Sequence, residues 1–218
     1  MKVLVTGGAR SGKSTFAEQL AMRLSDQGIY IATSRIWDTE MEQRVEIHRR
    51  QRSESGFSWE TVEEPLALAE RLTELKRRPD IRSGRAPAVL VDCLTLWLTN
   101  HLLEEEKEEE KEQPAQSEER AEAEEAEEAN SQAAGLRGSL ESAMNDLEEA
   151  AADFPSPIIF VTNEVGSGIV PAYPLGRRFR DEAGRMNQRM AQLCERKFWV
   201  VSGVPVDLNK VSFAWEDL

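Results

Sequence analysis

Cysteine is scarce: the 218 residues hold two, Cys93 and Cys194. Each lies in a segment that reads as buried. That excludes a disulfide framework and points to a reducing compartment, the cytoplasm. Long apolar runs are missing too. None approaches the roughly 18–20 residues that a bilayer-crossing helix needs, so no membrane span is expected. A basic excess is also lacking, since 27 Lys and Arg face 40 Asp and Glu. Nucleic-acid binding normally wants a basic face, so none is expected. The first strand begins at once after Met1, and no leader segment is expected ahead of it.

The net charge of −13 is unevenly spread. Residues 104–129 hold fourteen Glu against Lys107, Lys111 and Arg120, a local charge of −11. The rest of the chain is nearly neutral. This acidic, Ala-rich stretch, bounded at about 104–135, cannot bury enough apolar surface to hold a fold alone. It reads as a mobile insertion or an exposed helix, and no chemistry is assigned to it. The remaining length suits one α/β domain spanning 1–218.

What is present is concentrated near the start. Gly7, Gly8, Ala9, Arg10, Ser11, Gly12, Lys13 and Ser14 spell Gly-x-x-x-x-Gly-Lys-Ser, the phosphate-binding P-loop pattern. Val3-Leu4-Val5 before it reads as a buried strand, and residues 14–25 after it as a helix. Glycines let the backbone turn its N–H groups onto phosphate oxygens, and the helix start adds partial positive charge. Lys13 is placed to reach the β and γ phosphates, and Ser14 to hold Mg²⁺.

Gly28 reads as a helix stop before a strand at 29–33, with Thr33, Ser34 and Arg35 at its C-terminal end. Ligands of open parallel sheets bind at that edge. A helix over 38–52 turns basic in its second half, where Arg44 and His48 share a face. That half reads either as a solvated surface or as an imidazole nucleophile beside phosphate-binding guanidiniums. A short strand at 57–62 ends in Glu63 and Glu64, and Pro65 opens a helix to about Lys76. Ala88-Val89-Leu90-Val91-Asp92 is a buried strand whose terminal Asp92 has the form of a Mg²⁺-binding Walker B carboxylate. The next helix ends at His101, which reads as a surface or capping residue. A helix at 136–152 leads to a strand at 158–162. The loop after it, Asn163 to Pro171, reads as a substrate wall or a structural turn. A helix at 175–196, a strand at 198–202 and an apolar tail close the chain.

The sequence resembles the bifunctional adenosylcobinamide kinase/adenosylcobinamide-phosphate guanylyltransferases. The resemblance rests on Leu-Val-Thr-Gly-Gly-Ala-Arg-Ser-Gly-Lys-Ser at 4–14, Tyr-Ile-Ala-Thr-Ser at 30–34 and Asp-x-Glu-Met-x-x-Arg-Val-x-x-His at 38–48. It continues with Val-Thr-Asn-Glu-Val-Gly-x-Gly-Ile-Val-Pro at 161–171 and Arg-Phe-Arg-Asp-x-Ala-Gly-Arg-Met-Asn-Gln at 178–188. The acidic insertion and the last dozen or so residues fall outside it.

The resemblance implies an α/β, P-loop NTPase-type three-layer fold with a mostly parallel central sheet, assembled as a homotrimer. It implies two reactions. A nucleoside triphosphate, ATP or GTP with Mg²⁺, phosphorylates the aminopropanol hydroxyl of adenosylcobinamide. GTP then guanylylates His48, and the GMP passes to adenosylcobinamide phosphate to give adenosylcobinamide-GDP. His48 and Lys13 are the implied catalytic residues. The implied nucleotide contacts are Gly7 to Ser14, Thr33, Ser34, Arg35, Arg49, Arg50, Gln51, Arg52, Glu63 and Asp92, with Ser14 and Asp92 on the metal. The family carries Glu more often than Asp at the last of these positions. Two other readings compete: a P-loop small-molecule kinase without nucleotidyl transfer, and a GTP-binding switch. The switch lacks support, because no Asn-Lys-x-Asp run occurs in the chain.

Overall fold

The computed structural model describes residues 1–35, 39–82, 86–112 and 139–213. Seven strands form one sheet: β1 Lys2–Gly7, β2 Gln27–Ala32, β3 Ser58–Glu63, β4 Ala88–Asp92, β5 Ile158–Val161, β6 Arg196–Val201 and β7 Val204–Asp207. Their order across the sheet is β3-β2-β4-β5-β1-β6-β7. All neighbours pair in parallel except β6 with β7, which is antiparallel. The helices are α1 Lys13–Leu24, α2 Thr39–Glu54, α3 Leu68–Lys76, α4 Leu94–Glu112, α5 over 139–152, α6 Pro174–Leu193 and α7 Leu208–Val211.

Side chains alternate across each strand, so the two sheet faces collect different residues. Leu4, Ile31, Val89, Val91, Ile158 and Phe160 face one way and pack on Leu68, Leu72, Leu98, Leu147, Met186 and Met190 from α3 to α6. Val3, Val5, Tyr30, Leu90, Ile159 and Val161 face the other way, onto Ala17 and Ala21 of α1. The result is the expected three-layer α/β arrangement with a mostly parallel sheet. Ala183, Met186 and Met190 recur every three or four residues on α6, the spacing of one buried helical stripe.

Several element boundaries differ from the sequence reading. Gly28 lies inside β2 and does not end a helix. A Cβ there would sit 2.4 Å from the Trp59 ring of β3, so the strand makes room for an indole. The helix expected from Pro65 begins at Leu68, because the Glu64 carboxylate accepts from the Leu66 and Ala67 N–H groups ahead of it. α4 runs on to Glu112, so the start of the acidic stretch is a continuation of a core helix. Glu105 there is buried and ion-paired at 2.6 Å with Arg178 of α6. The rest of that stretch, 113–135, lies outside the described residues. His101 is half-buried rather than on the surface, with its ring edge-on to Trp97 and its Nε2 3.2 Å from the Leu66 carbonyl. The tail makes β7 and α7, joined to β6 by a two-residue turn at Ser202 and Gly203, both with positive φ.

Candidate active site

The C-terminal ends of β1, β2, β4 and β5 open onto one cavity of about 870 Å³, large enough for a nucleotide. Its floor is the glycine loop. Gly12 takes φ +92°, a conformation open to glycine, and a Cβ there would lie 3.2 Å from the Gly203 backbone. Gly7 backs onto the Val200 carbonyl, where a Cβ would approach to 2.5 Å. The Gly203 N–H donates to the Ser11 carbonyl at 2.8 Å, so the β6–β7 turn braces the loop from outside. α1, whose N-cap residue is Gly12, has no side-chain cap and no acid in its first turn. Its first N–H groups are left for an anion to satisfy. Lys13 Nζ folds back over the loop, donating to the Gly8 carbonyl at 3.2 Å.

Asp92, at the end of β4, faces the α1 side of the sheet. The Tyr30 hydroxyl of neighbouring β2 donates to Asp92 Oδ2 at 3.0 Å. Burial, and then the charge of Asp92, hold that phenol well above its ordinary pKa, so Tyr30 remains a donor. Cys93 also lines the cavity, but burial pushes its thiol up to about 12, which removes it as a nucleophile. Thr33 is fully buried, donating through Oγ1 to the Cys93 carbonyl at 2.7 Å. It fixes the wall from behind. Ser34 and Arg35 face the cavity, with Arg35 ion-paired to Glu104 of α4.

α2 supplies His48, Arg49 and Arg52 to the lining. Arg49 pairs with Glu63 at the end of β3. Arg52 is 5% exposed, and its guanidinium lies 3.6 Å from the Tyr30 ring centroid. Its Nη1 is 3.5 Å from Glu18 of α1, yet Nε and Nη1 make no hydrogen bond to the described residues. Burial raises the Glu18 pKa, and Arg52 opposes that rise.

The fold therefore brings Ala9, Arg10, Ser11, Gly12, Lys13, Ser14, Ser34, Arg35, His48, Arg49, Arg52, Glu63 and Asp92 around one space. Gly7, Gly8 and Thr33 shape it from outside the lining. Arg50 and Gln51 point elsewhere: both are exposed, and Arg50 donates to Glu54 one turn on at 2.8 Å. The 3.6-residue period decides this split, since a run of four helical residues cannot share one face. Asn163, second residue after β5, also lines the cavity, as does Tyr30, to which the sequence alone assigns no role. A tyrosine in an otherwise apolar strand was the available signal, because its buried hydroxyl needs a partner.

Ser14 and Asp92 both line this space, and both offer oxygen donors. Among the described residues no cluster of three or more His, Cys, Asp or Glu is arranged to hold a metal. That donor set fits Mg²⁺, which takes one or two protein oxygens and completes its shell with phosphates and water. Basic residues outnumber acids around the cavity, with Arg10, Lys13, Arg35, Arg49 and Arg52 against Glu63 and Asp92. Such a balance suits a polyphosphate.

Among solved structures, that of the RadB recombinase superposes with a TM-score of 0.41 at 16% identity, covering 91% of this chain and 73% of that one. The sequence relatives are much nearer. The bifunctional adenosylcobalamin biosynthesis protein CobP of Pseudomonas aeruginosa is 38% identical over 209 residues, spanning 96% of this chain and 98% of that protein. CobU of Escherichia coli, with the same bifunctional description, is 38% identical over 96% of this chain and its own full length. The family model described as cobinamide kinase / cobinamide phosphate guanyltransferase matches residues 3–208, and the chain belongs to that family of enzymes.

Proposed function

We propose that the cavity holds one nucleoside triphosphate at a time and serves two reactions, each of which consumes its own triphosphate. In the first, the terminal phosphoryl passes to the aminopropanol hydroxyl of adenosylcobinamide. The hydroxyl oxygen bonds to phosphorus and its proton passes to solvent, the bridge to the β phosphate breaks, and the nucleoside diphosphate leaves. Loop N–H groups and Lys13 hold the phosphates, and Arg35 and Arg49 offset charge that builds up in the transition state. Mg²⁺ held by Ser14 and Asp92 would supply Lewis-acid neutralisation of phosphate charge. Tyr30 fixes one Asp92 oxygen and leaves the other free.

In the second reaction a ring nitrogen of His48 attacks the α phosphorus of GTP. The nitrogen–phosphorus bond forms as the bridge to the β phosphate breaks, and pyrophosphate leaves. The GMP then passes to the phosphate of adenosylcobinamide phosphate, which releases His48. Covalent transfer replaces one hard exchange by two easier displacements. The observation that carries this reading is the presence of His48 and the phosphate loop in the lining of one cavity. A kinase without nucleotidyl transfer would leave that histidine without a task.

The chain acts as a single domain, and Mg²⁺, ATP and GTP are its cofactors and nucleotide substrates. A homotrimer in the cytoplasm is the assembly we favour. Trp199, Val204, Val211 and Phe213, 44–65% exposed at the β6–β7–α7 edge, give apolar surface for a neighbouring copy. No helix among the described residues is long and apolar enough to cross a membrane.

Incubation with α-labelled GTP tests the transfer step. The label is expected to become covalent, acid-labile and alkali-stable in the native enzyme, and to be absent from His48→Ala. Phosphorylation of adenosylcobinamide should continue in that variant. A stable label on His48→Ala, or none on the native enzyme, contradicts the guanylyl-histidine route.

A further inference from the structure

The loop after β5 carries a residue that neither reaction has yet used. β5 lies between β1, which delivers the phosphate loop, and β4, which delivers Asp92. Val161 pairs with Val5 on one side and Asp92 on the other. Asn163 stands two residues beyond Val161, just past the end of β5. It joins Lys13, Ser14 and Asp92 in lining the cavity.

The backbone at Asn163 is held on every side. Its N–H donates to the buried Thr95 Oγ1 at 2.8 Å, and its carbonyl accepts from Asn187 Nδ2 at 3.0 Å. Thr162, fully buried, donates through Oγ1 to Asn187 Oδ1 at 2.7 Å and lies 3.2 Å from Thr95 Oγ1. The following N–H, of Glu164, donates to the Gly7 carbonyl at 3.2 Å, which ties this loop to the phosphate loop. Glu164 also takes the Thr6 hydroxyl and the second Asn187 N–H contact. All these bonds use main chain or neighbouring side chains. The Asn163 carboxamide itself makes no hydrogen bond to the described residues. A neutral donor on so rigid a mount is pre-organised for something that enters the cavity.

We infer that the Asn163 side-chain amide donates to the terminal phosphoryl group of the bound triphosphate and so distinguishes triphosphate from diphosphate. The inference rests on the triphosphate reading above and adds a contact at the end of the phosphate chain. A neutral amide suits this place. It satisfies a phosphoryl oxygen without adding a charge that would hold the product diphosphate as tightly as the substrate. A hydrogen bond to a charged group of this kind carries about tenfold or more in affinity.

The test compares GDP with β,γ-imido GTP by calorimetry, with His48→Asn present in every protein so that no adduct forms. The parent should bind both. Adding Asn163→Ala should weaken the imido triphosphate about tenfold and leave GDP within twofold. Adding Asn163→Asp, which places a carboxylate against phosphate, should weaken the triphosphate further. An unchanged triphosphate-to-diphosphate ratio in both variants overturns the inference and leaves the triphosphate site standing. A parent that binds neither nucleotide overturns the site itself. Because the Thr95, Asn187 and Gly7 contacts to this loop use the main chain at 163 and 164, both variants should melt with the parent.

Discussion

At the residue scale, the chain offers two histidines and only one reaches the cavity. His48 lines it, whereas His101 is packed between Trp97 and the Leu66 carbonyl. Burial lowers the His101 pKa, more than the Leu66 contact and the nearby carboxylate of Glu70 raise it. The unfolded chain therefore takes up the proton first as pH falls. The stability held by neutral His101 is full above its ordinary value of 6.5 and is lost as pH drops below that toward the folded-state value. Urea unfolding at about pH 7.5 and about pH 5.5, on either side of that ordinary value, should show the native protein losing stability at the lower pH, with a smaller loss in His101→Asn. Equal losses would place the sensitivity elsewhere. The placement of residues around the cavity was partly legible. Gly-x-x-x-x-Gly-Lys-Ser announces its own geometry because its residues are neighbours in the chain. The surroundings of Tyr30, Arg52 and Asn163 were not legible, because their meeting around Asp92 depends on which strands lie side by side.

At the scale of elements, the strands were read well wherever both faces are apolar, as in Val3-Leu4-Val5 and Ala88–Val91. β7 was missed because Val204, Pro205 and Val206 form a short outer strand with little burial. Proline suits such an edge, and the Ser-Gly turn before it was the readable signal. Gly28 shows the opposite error. A helix-stop reading explained its composition, but the indole of Trp59 explains its presence. That ring cannot yield, since it packs edge-on against Phe57 and Tyr30 with centroids at 4.9 and 6.2 Å. Gly28→Ala should therefore cost about 1–3 kcal/mol by overpacking. Thermal melting should fall by roughly 3–10 °C for a chain of this size. A melting temperature indistinguishable from that of the native protein would mean that β3 shifts at no cost. α2 follows a different logic. Among its described side chains Arg52 alone is buried, so a charged residue fixes the end of the helix that carries His48.

At the scale of the whole molecule, composition drew the boundary of the acidic stretch too early. Glu104 holds Arg35 at the cavity, and buried Glu105 holds Arg178 between α4 and α6. Composition could not separate these two from the Glu residues that follow, because burial is a property of the packed helix. Deleting 114–134 should leave both activities and the melting temperature within error. Glu105→Ala should cost about 2 kcal/mol, because it strands a partly buried guanidinium. A deletion that kills activity, or a harmless Glu105→Ala, would reverse that division. The larger claim is that one triphosphate cradle serves two different displacements. Its most direct measurement compares Lys13→Ala with the native enzyme, using γ-labelled ATP or GTP for phosphorylation of adenosylcobinamide and α-labelled GTP for the His48 adduct. A shared cradle predicts that both signals fall together, by about a hundredfold or more. Loss of phosphorylation with an undiminished GMP adduct would mean that His48 draws its nucleotide from a second site.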